Sequence, residues 1–427
     1  MSLLQRARTS GILGVGSAVA VSSIAGYLLL AVVGRTLTTS EFALFMSFWG
    51  LLFGLASSMS MVEQEAARQS AGGEKDHSAP ILRVALAAGA IATTVAALTL
   101  LPAVSARLYG HAESGMGVLV VIATLGFAAQ FMVRGLLIGA DDIRGYAGLV
   151  VAEPTSRLLL LAVVWLTVGV TLGSAAAAVA VGAFAWIGWI GPARRLLRRT
   201  QVQAGFGVRS WLDPLRRAGS LMLGAALTAA LITGYTTMVT AFSGGAPGAA
   251  GGAVFAALTV SRLPLLFVAP LQALAVPTIL RWQQAGTNTV KDAHRLLVLA
   301  AAGTLAIGLV GGLVAWFIGP WAVQIALGAK YVVSPATIAV LVFSACFLGL
   351  LQLASAALIA FGSYRWMATV WATATGTTAL WLLLNPFDIV LSAVVGALVG
   401  PVVGVCVALV VLWRMVGRQV GAVADHA

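Results

Sequence analysis

Charge is what this 427-residue chain lacks. Only 9% of its residues are Asp, Glu, Lys or Arg, where a soluble chain carries about 25%. That deficit excludes a soluble enzyme, a disordered protein and a coiled coil. Cysteine is equally scarce: Cys346 and Cys406 both sit inside apolar runs, so no disulfide framework is expected. The four histidines, His77, His111, His294 and His426, fall singly in loops and the tail. No pair has metal-ligand spacing, so no metal site is expected. A GxGxxG, P-loop or zinc motif is missing too, which removes dinucleotide binding and direct ATP hydrolysis. No cofactor is expected. No polar stretch is long enough to fold as a soluble catalytic domain.

What remains is apolar and small. The apolar set makes up 60% of the chain, and there are 48 glycines. Small residues at this density suit helices that pack closely in lipid. Twelve segments are long enough to cross the hydrocarbon, at about 20 residues per span: 12–34, 42–62, 84–104, 117–139, 147–169, 174–192, 219–241, 253–276, 297–318, 335–359, 366–384 and 389–412. In lipid each must be helical, because every unpaired backbone group costs several kcal/mol. The first, behind Arg6 and Arg8, is too long for a signal peptide and is read as a retained helix.

The charges set the topology. With both termini in the cytoplasm, the outer loops receive only Arg35, Arg107 and Lys330, and the remaining basic loop residues fall inside. That is the positive-inside pattern, and it accounts for the net charge of +12 without nucleic acid. The stretch 193–218 carries seven arginines. It reads as a basic cytoplasmic linker between an N-terminal bundle, 1–192, and a C-terminal bundle, 219–413, followed by a tail, 414–427. The expected fold class is an all-α polytopic membrane protein: twelve transmembrane helices in two pseudo-symmetric six-helix bundles around a central cavity.

The halves resemble each other. LLIGADDIRGYA at 136–147 aligns with ALIAFGSYRWMA at 357–368, an offset of 221, and LYG at 108–110 aligns with ALG at 326–328, an offset of 218. Six helices separate the copies, so they point the same way and form a parallel repeat.

Charges within spans are costly and mark function by default. Arg134 and Glu153 lie nine and ten residues from a loop centred near Ile143, so both stand about 14 Å from the turn. Glu153 and Arg157 are spaced i,i+4 in the favourable order. A three-member ionic cluster is expected, as a lock between two helices or as a site. Arg262 stands alone in the eighth span, with no acidic residue in spans seven or eight and with Pro264, Pro270 and Pro277 after it. Its planar, forked donors suit phosphate; the other reading is a side chain that snorkels to the surface. Thr233, Thr237 and Thr240 share one face of span seven. They either line a polar path or bond back to helix carbonyls. Glu63, Gln64, Glu65 and Arg68 read as a solvated helix end. Asp141 and Asp142 lie in a short inner turn, which argues against a role as transferase carboxylates.

GRTLTTSEFALF at 34–45, RGLLIGADDIRGYAGLVVAEPTSRL at 134–158, ALGAKYVVSPATIAVL at 326–341 and ALIAFGSYRW at 357–366 together resemble the multidrug/oligosaccharidyl-lipid/polysaccharide flippase superfamily. Within it the polysaccharide transporter branch, the O-antigen and capsule-repeat flippases, fits best. The resemblance implies a V-shaped pair of bundles with a cationic cavity lined by helices one, two, seven and eight. It places Arg262, Arg35 and the Thr233–Thr240 stripe nearest that cavity, matches Arg68 to a basic residue after the second helix, and puts the Arg134, Glu153 and Arg157 cluster in the outer part of the first bundle, which favours its structural reading. The implied protein is no enzyme. It is a flippase of the bacterial plasma membrane that moves a polyprenyl-pyrophosphate-linked oligosaccharide outward by alternating access. Its partners would be the lipid-linked glycan, membrane lipids, a coupling ion or proton, and a glycan polymerase or other cell-envelope proteins. Lipid II flippases usually have fourteen spans, so twelve argues against that cargo. A multidrug exporter of the same superfamily is the main alternative; a membrane glycosyltransferase or a non-transporting scaffold is weaker.

Overall fold

The computed structural model describes residues 3–71, 80–110, 115–204, 211–242, 247–268, 271–272, 279, 290–384 and 387–424. Among these, the regular structure is helical. Eleven helices are long and apolar enough to cross a membrane, and one bent pair makes a twelfth if counted as a single span. The chain is an all-helical, multi-pass membrane protein.

It divides into two compact units, Met1–Ala246 and Pro247–Ala427. The division falls after the bent pair and not within 193–218. The expected linker is itself largely helical, with Ile190–Ala204 and the start of Leu212–Ile232 on either side of residues outside the description. The seventh span joins the first unit because its side chains bond to the second.

The first unit begins with α1 (Leu3–Thr36), α2 (Thr39–Ser58), α3 (Ser60–Ser70), α4 (Ile81–Ala97) and the short α5 (Pro102–Tyr109). It continues with α6 (Gly115–Gly139), α7 (Ile143–Thr167), α8 (Leu172–Gly182), α9 (Ile190–Ala204), α10 (Leu212–Ile232) and α11 (Tyr235–Phe242). The second holds α12 (Gly248–Ser261), α13 (Val290–Leu327), α14 (Pro335–Ala360), α15 (Tyr364–Leu384) and α16 (Ile389–Ala424). In the first unit α1 packs on α7, α3 and α4 on α6, and α10 and α11 on α2. In the second, α14 packs on α13 and α16, and α16 on α15.

The motifs that carried the family resemblance are helix starts. Thr38 caps α2 in a capping box: its hydroxyl accepts from Glu41 N–H, and the Glu41 carboxylate accepts from Thr38 N–H at 2.8 Å. Asp142 caps α7 by accepting from Gly145 N–H at 2.9 Å. Ser334 caps α14, with Pro335 in the first turn. Each satisfies donors that a helix end leaves open.

The repeat is also present in the backbone. At the end of α6, Asp142 N–H donates to the Leu137 carbonyl and Asp141 N–H to Ile138, with φ +62° at Asp141. At the end of α14, Ser363 N–H donates to Leu358 and Gly362 N–H to Ile359, with φ +69° at Gly362. The offset of 221 superimposes every atom pair of the two turns. The left-handed position is glycine in one copy and aspartate, which tolerates that region, in the other. Gly110 and Gly328, 218 residues apart, share positive φ and a bond to the carbonyl four residues back.

Candidate functional site

In the first unit α6 and α7 bring Arg134, Glu153 and Arg157 together. Glu153 accepts from Arg134 on one carboxylate oxygen and from Arg157 on the other. Gln130, one turn before Arg134, donates to the Arg134-bound oxygen at 2.6 Å. Arg157 and Glu153 are buried, and Arg157 lies 4.7 Å over the Phe53 ring and 5.7 Å from that of Phe127. Phe131 takes the Arg134 guanidinium at 5.5 Å. These π faces supply part of what water would supply to a cation. Gly182 on α8 leaves the room that Arg157 occupies, since a Cβ there would meet the guanidinium stem.

The network reaches further than the triad. Tyr146 donates to Glu63 at 2.9 Å, and Arg134 acts electrostatically on Glu63 as well as on Glu153. Glu65 is buried and accepts from Arg68 at 2.9 Å and Gln69 at 2.8 Å. Glu65 is therefore packed, where the sequence suggested a solvated helix end; Gln64 is exposed, and Glu63 and Arg68 are half-buried. Glu63, Ala66 and Ser70 recur at helical spacing, and α3 packs on α6 through them. Gln130 was missed because an isolated amide in an apolar helix has no pattern to mark it. Its Oε1 and the Nε atoms of Arg134 and Arg157 are buried with no hydrogen-bond partner among the described residues.

Pro154 stands inside α7 between Glu153 and Arg157. Proline removes the N–H that would serve the carbonyl four residues back, that of Val150. Ser22 on α1 fills the vacancy, donating to the Val150 oxygen at 2.6 Å. In lipid such a carbonyl has no water to turn to.

The threonine stripe joins α11 to α2. The seventh span bends by 78° at Thr233–Gly234, where both N–H groups fall on the Ala229 carbonyl at 2.9 Å. Past the bend, Thr236 donates to the Met46 carbonyl at 2.6 Å and Thr237 to the Ser47 carbonyl at 2.7 Å. Thr240 bonds to the Ser47 hydroxyl and to the Thr236 carbonyl, and Thr233 to Ala229 at 2.9 Å. The three hydroxyls expected on a polar path thus have backbone partners. Gly50 makes the approach possible: a Cβ there would stand 2.5 Å from Thr236 Oγ1 and 2.7 Å from Thr237 Oγ1.

Arg262 lies in the second unit at the C-terminal end of α12. The α-helix gives way there to a 3₁₀ turn, Leu263–Phe267, and the Arg262 carbonyl accepts from Leu265 N–H at 3.0 Å. The residue is half-buried and four positions from the end of the span Gly248–Leu266. At 1.5 Å per residue it stands about 21 Å from Gly248. Pro264 lies in the 3₁₀ turn; Pro270 and Pro277 are outside the described residues. Arg35 is exposed in the last turn of α1, where its charge faces the negative helix end. Arg68 is paired with Glu65. Among the described residues no three His, Cys, Asp or Glu side chains are placed to hold a metal ion.

Solved structures share this architecture. The lipid II flippase MurJ in an inward closed conformation matches with a TM-score of 0.64 and 12% identity, over 93% of this chain and 87% of that one. An inward-facing multidrug resistance MATE family transporter of the MOP superfamily matches at 0.59 and 13%, over 95% and 96%. The eukaryotic MATE transporter AtDTX14 matches at 0.58 and 16%, over 97% of both chains. The chain is thus a membrane protein with the fold of the MOP-superfamily transporters. No family model matches the sequence. The uncharacterized protein Mb3654 of Mycobacterium bovis is 30% identical over 392 residues, covering 89% of this chain and 87% of that protein. The uncharacterized protein Rv3630 of Mycobacterium tuberculosis matches with the same figures, and Rv1510 of that organism is 29% identical over 389 residues, 89% and 86% of the two chains. This chain belongs to the family that these mycobacterial proteins define.

Proposed function

We propose that the protein is a flippase that carries a polyprenyl-pyrophosphate-linked oligosaccharide from the inner to the outer leaflet of the plasma membrane. The observation that carries this reading is Arg262, a guanidinium at the break of an apolar span whose own sequence holds no carboxylate. In this reading Arg262 holds the pyrophosphate, with Arg35 and Arg68 as further cationic contacts along the path. The Thr237 and Thr240 hydroxyls keep the seventh span on the second and that of Thr233 bonds back to Ala229, rather than meeting sugar. Both termini are cytoplasmic, the six-helix halves alternate access by rocking, and an ion, a proton or the membrane potential supplies the energy. A glycan polymerase takes up the exported unit.

The test is sided lipid analysis. After depletion, a membrane-impermeant probe should find completed lipid-linked glycan trapped on the inner leaflet. Restored wild-type protein should clear it, and Arg262→Ala, present at equal level, should not. Wild-type export by Arg262→Ala would sink the role of Arg262. A second reading, export of cationic drugs, is favoured by the half-buried Glu63 beside Tyr146. It predicts raised drug sensitivity on depletion, with no trapped glycan.

A further inference from the structure

The second unit carries a groove of about 410 Å³ lined by Trp366, Cys406, Val407, Val410, Val411, Arg414 and Met415. That volume is in the range of ligand pockets, roughly 300–1,000 Å³. The α16 residues recur at i, i+4 and i+8, so they form one continuous stripe. From Cys406 to Arg414 the stripe runs about 12 Å along the helix. One leaflet of hydrocarbon is about 15 Å thick, half of the 30 Å core.

The groove is apolar along its length and cationic at one end. Cys406 and Arg414 are exposed, and Trp366 and Val410 are about half exposed. Trp366 belongs to the first turn of α15 and Arg414 to the last turns of the spanning part of α16, so both mark the same end. His294, near the start of α13, reaches that level too: its ring stacks on Trp413 at 3.7 Å, and Nε2 stands 3.1 Å from the Trp413 carbonyl. Three helix ends therefore meet here, bringing Arg295, Arg365 and Arg414. Asp292 stands in the first turn of α13 beside Lys291, and Asp388 lies at the other end of α16.

We propose that this groove binds an anionic phospholipid, with its phosphate on Arg414 and one acyl chain laid along Val410, Val407 and Cys406 beneath the edge of Trp366. The chemistry follows from the layout. A fork of guanidinium donors suits a phosphate. Tryptophan sits at the headgroup level of a bilayer. Basic pockets between spanning helices are where anionic headgroups are held. A zwitterionic lipid would bring its own cation to a cluster that is already positive, so the site discriminates by headgroup charge.

The experiment is native mass spectrometry of the full chain in detergent, with phosphatidylglycerol, phosphatidylcholine and a polyprenyl phosphate as separate probes. Wild-type protein should retain one phosphatidylglycerol several-fold more than phosphatidylcholine. Arg414→Gln should remove that preference, and Val410→Trp, which fills the groove and keeps the charge, should abolish retention. Lys330→Gln, a cation past the opposite end of α13, should leave retention unchanged. As a readout on unmutated protein, phosphatidylglycerol should slow alkylation of Cys406 by a small maleimide, and phosphatidylcholine should not. Equal retention of the two phospholipids, unchanged retention in Val410→Trp, or unprotected Cys406 would each overturn the proposal. Preferential retention of polyprenyl phosphate would overturn the choice of phospholipid.

Discussion

The α6–α7 hairpin of the first unit and the α14–α15 hairpin of the second turn through the same hydrogen bonds and differ in what they bury. An offset of 221 puts Gln130 on Leu351, Arg134 on Ser355, Glu153 on Ala374 and Arg157 on Thr378. Four polar or charged groups in one copy face an aliphatic side chain, two hydroxyls and a methyl in the other. In the second copy Trp371 donates to Ser355 at 2.8 Å and Thr378 to the Gly396 carbonyl. Both donors are thus satisfied, and all four residues are buried. The close glycine is kept too: Gly182 lies against Arg157, and Gly400 against Thr378. The fold thus does not require charge at this place. A buried ion pair rarely outperforms a well-packed neutral replacement, and this one leaves three polar atoms unpartnered. The charge in the first unit is a cost that the second unit avoids.

That comparison can be broken in four steps. Glu153→Gln removes the shared anion and leaves Arg134 and Arg157 facing each other. Losing one partner of a buried pair costs about 3–5 kcal/mol, and the melting temperature in detergent should fall by the largest amount of any substitution here. Gly50→Val should come next, at about 1–3 kcal/mol for forcing a side chain into a packed contact. Binding of the seventh span to the second should loosen, read as faster backbone hydrogen exchange in 235–242. Ser355→Ala, the second-unit counterpart, strands the Trp371 N–H and should cost about 1–3 kcal/mol. The smallest stability effect should come from the triple variant Arg134→Ser, Glu153→Ala and Arg157→Thr, which writes the second unit's residues into the first. Its melting temperature should stay near the wild-type value while glycan export fails. A triple variant that exports normally would return the cluster to a purely structural role.

Much of this was readable in the chain. Long apolar runs and the scarcity of charge dictate spanning helices, and the spans seen follow the expected segments, with the seventh present as a bent pair. Arg134 and Glu153, level across the Ile143 turn by simple rise per residue, are joined in the structure. The turn repeat was legible because its glycine, aspartate and serine positions carry backbone chemistry that survives when apolar residues drift. The burial of Glu65 and the bond of Glu63 to Tyr146 were not legible. Their spacing fits a solvated helix end as well as a packed one, and only α6 and α7 lying against α3 decide between them. The threonine stripe was ambiguous for the same reason. A hydroxyl in an apolar helix needs an acceptor, and nothing local says whether that is a ligand or the carbonyls of Met46 and Ser47.

By itself the sequence determined that this protein lives in a bilayer, in about twelve helices and two related halves, because hydrophobicity and turn chemistry are local properties. The tertiary structure alone decided where the units divide, which hydroxyls are spent on backbone, and that one copy of the repeat buries a charge network while the other stays neutral. Those outcomes depend on which helix faces which, and in lipid that choice is made by close packing and polar satisfaction between helices, not by the hydrophobicity of either one.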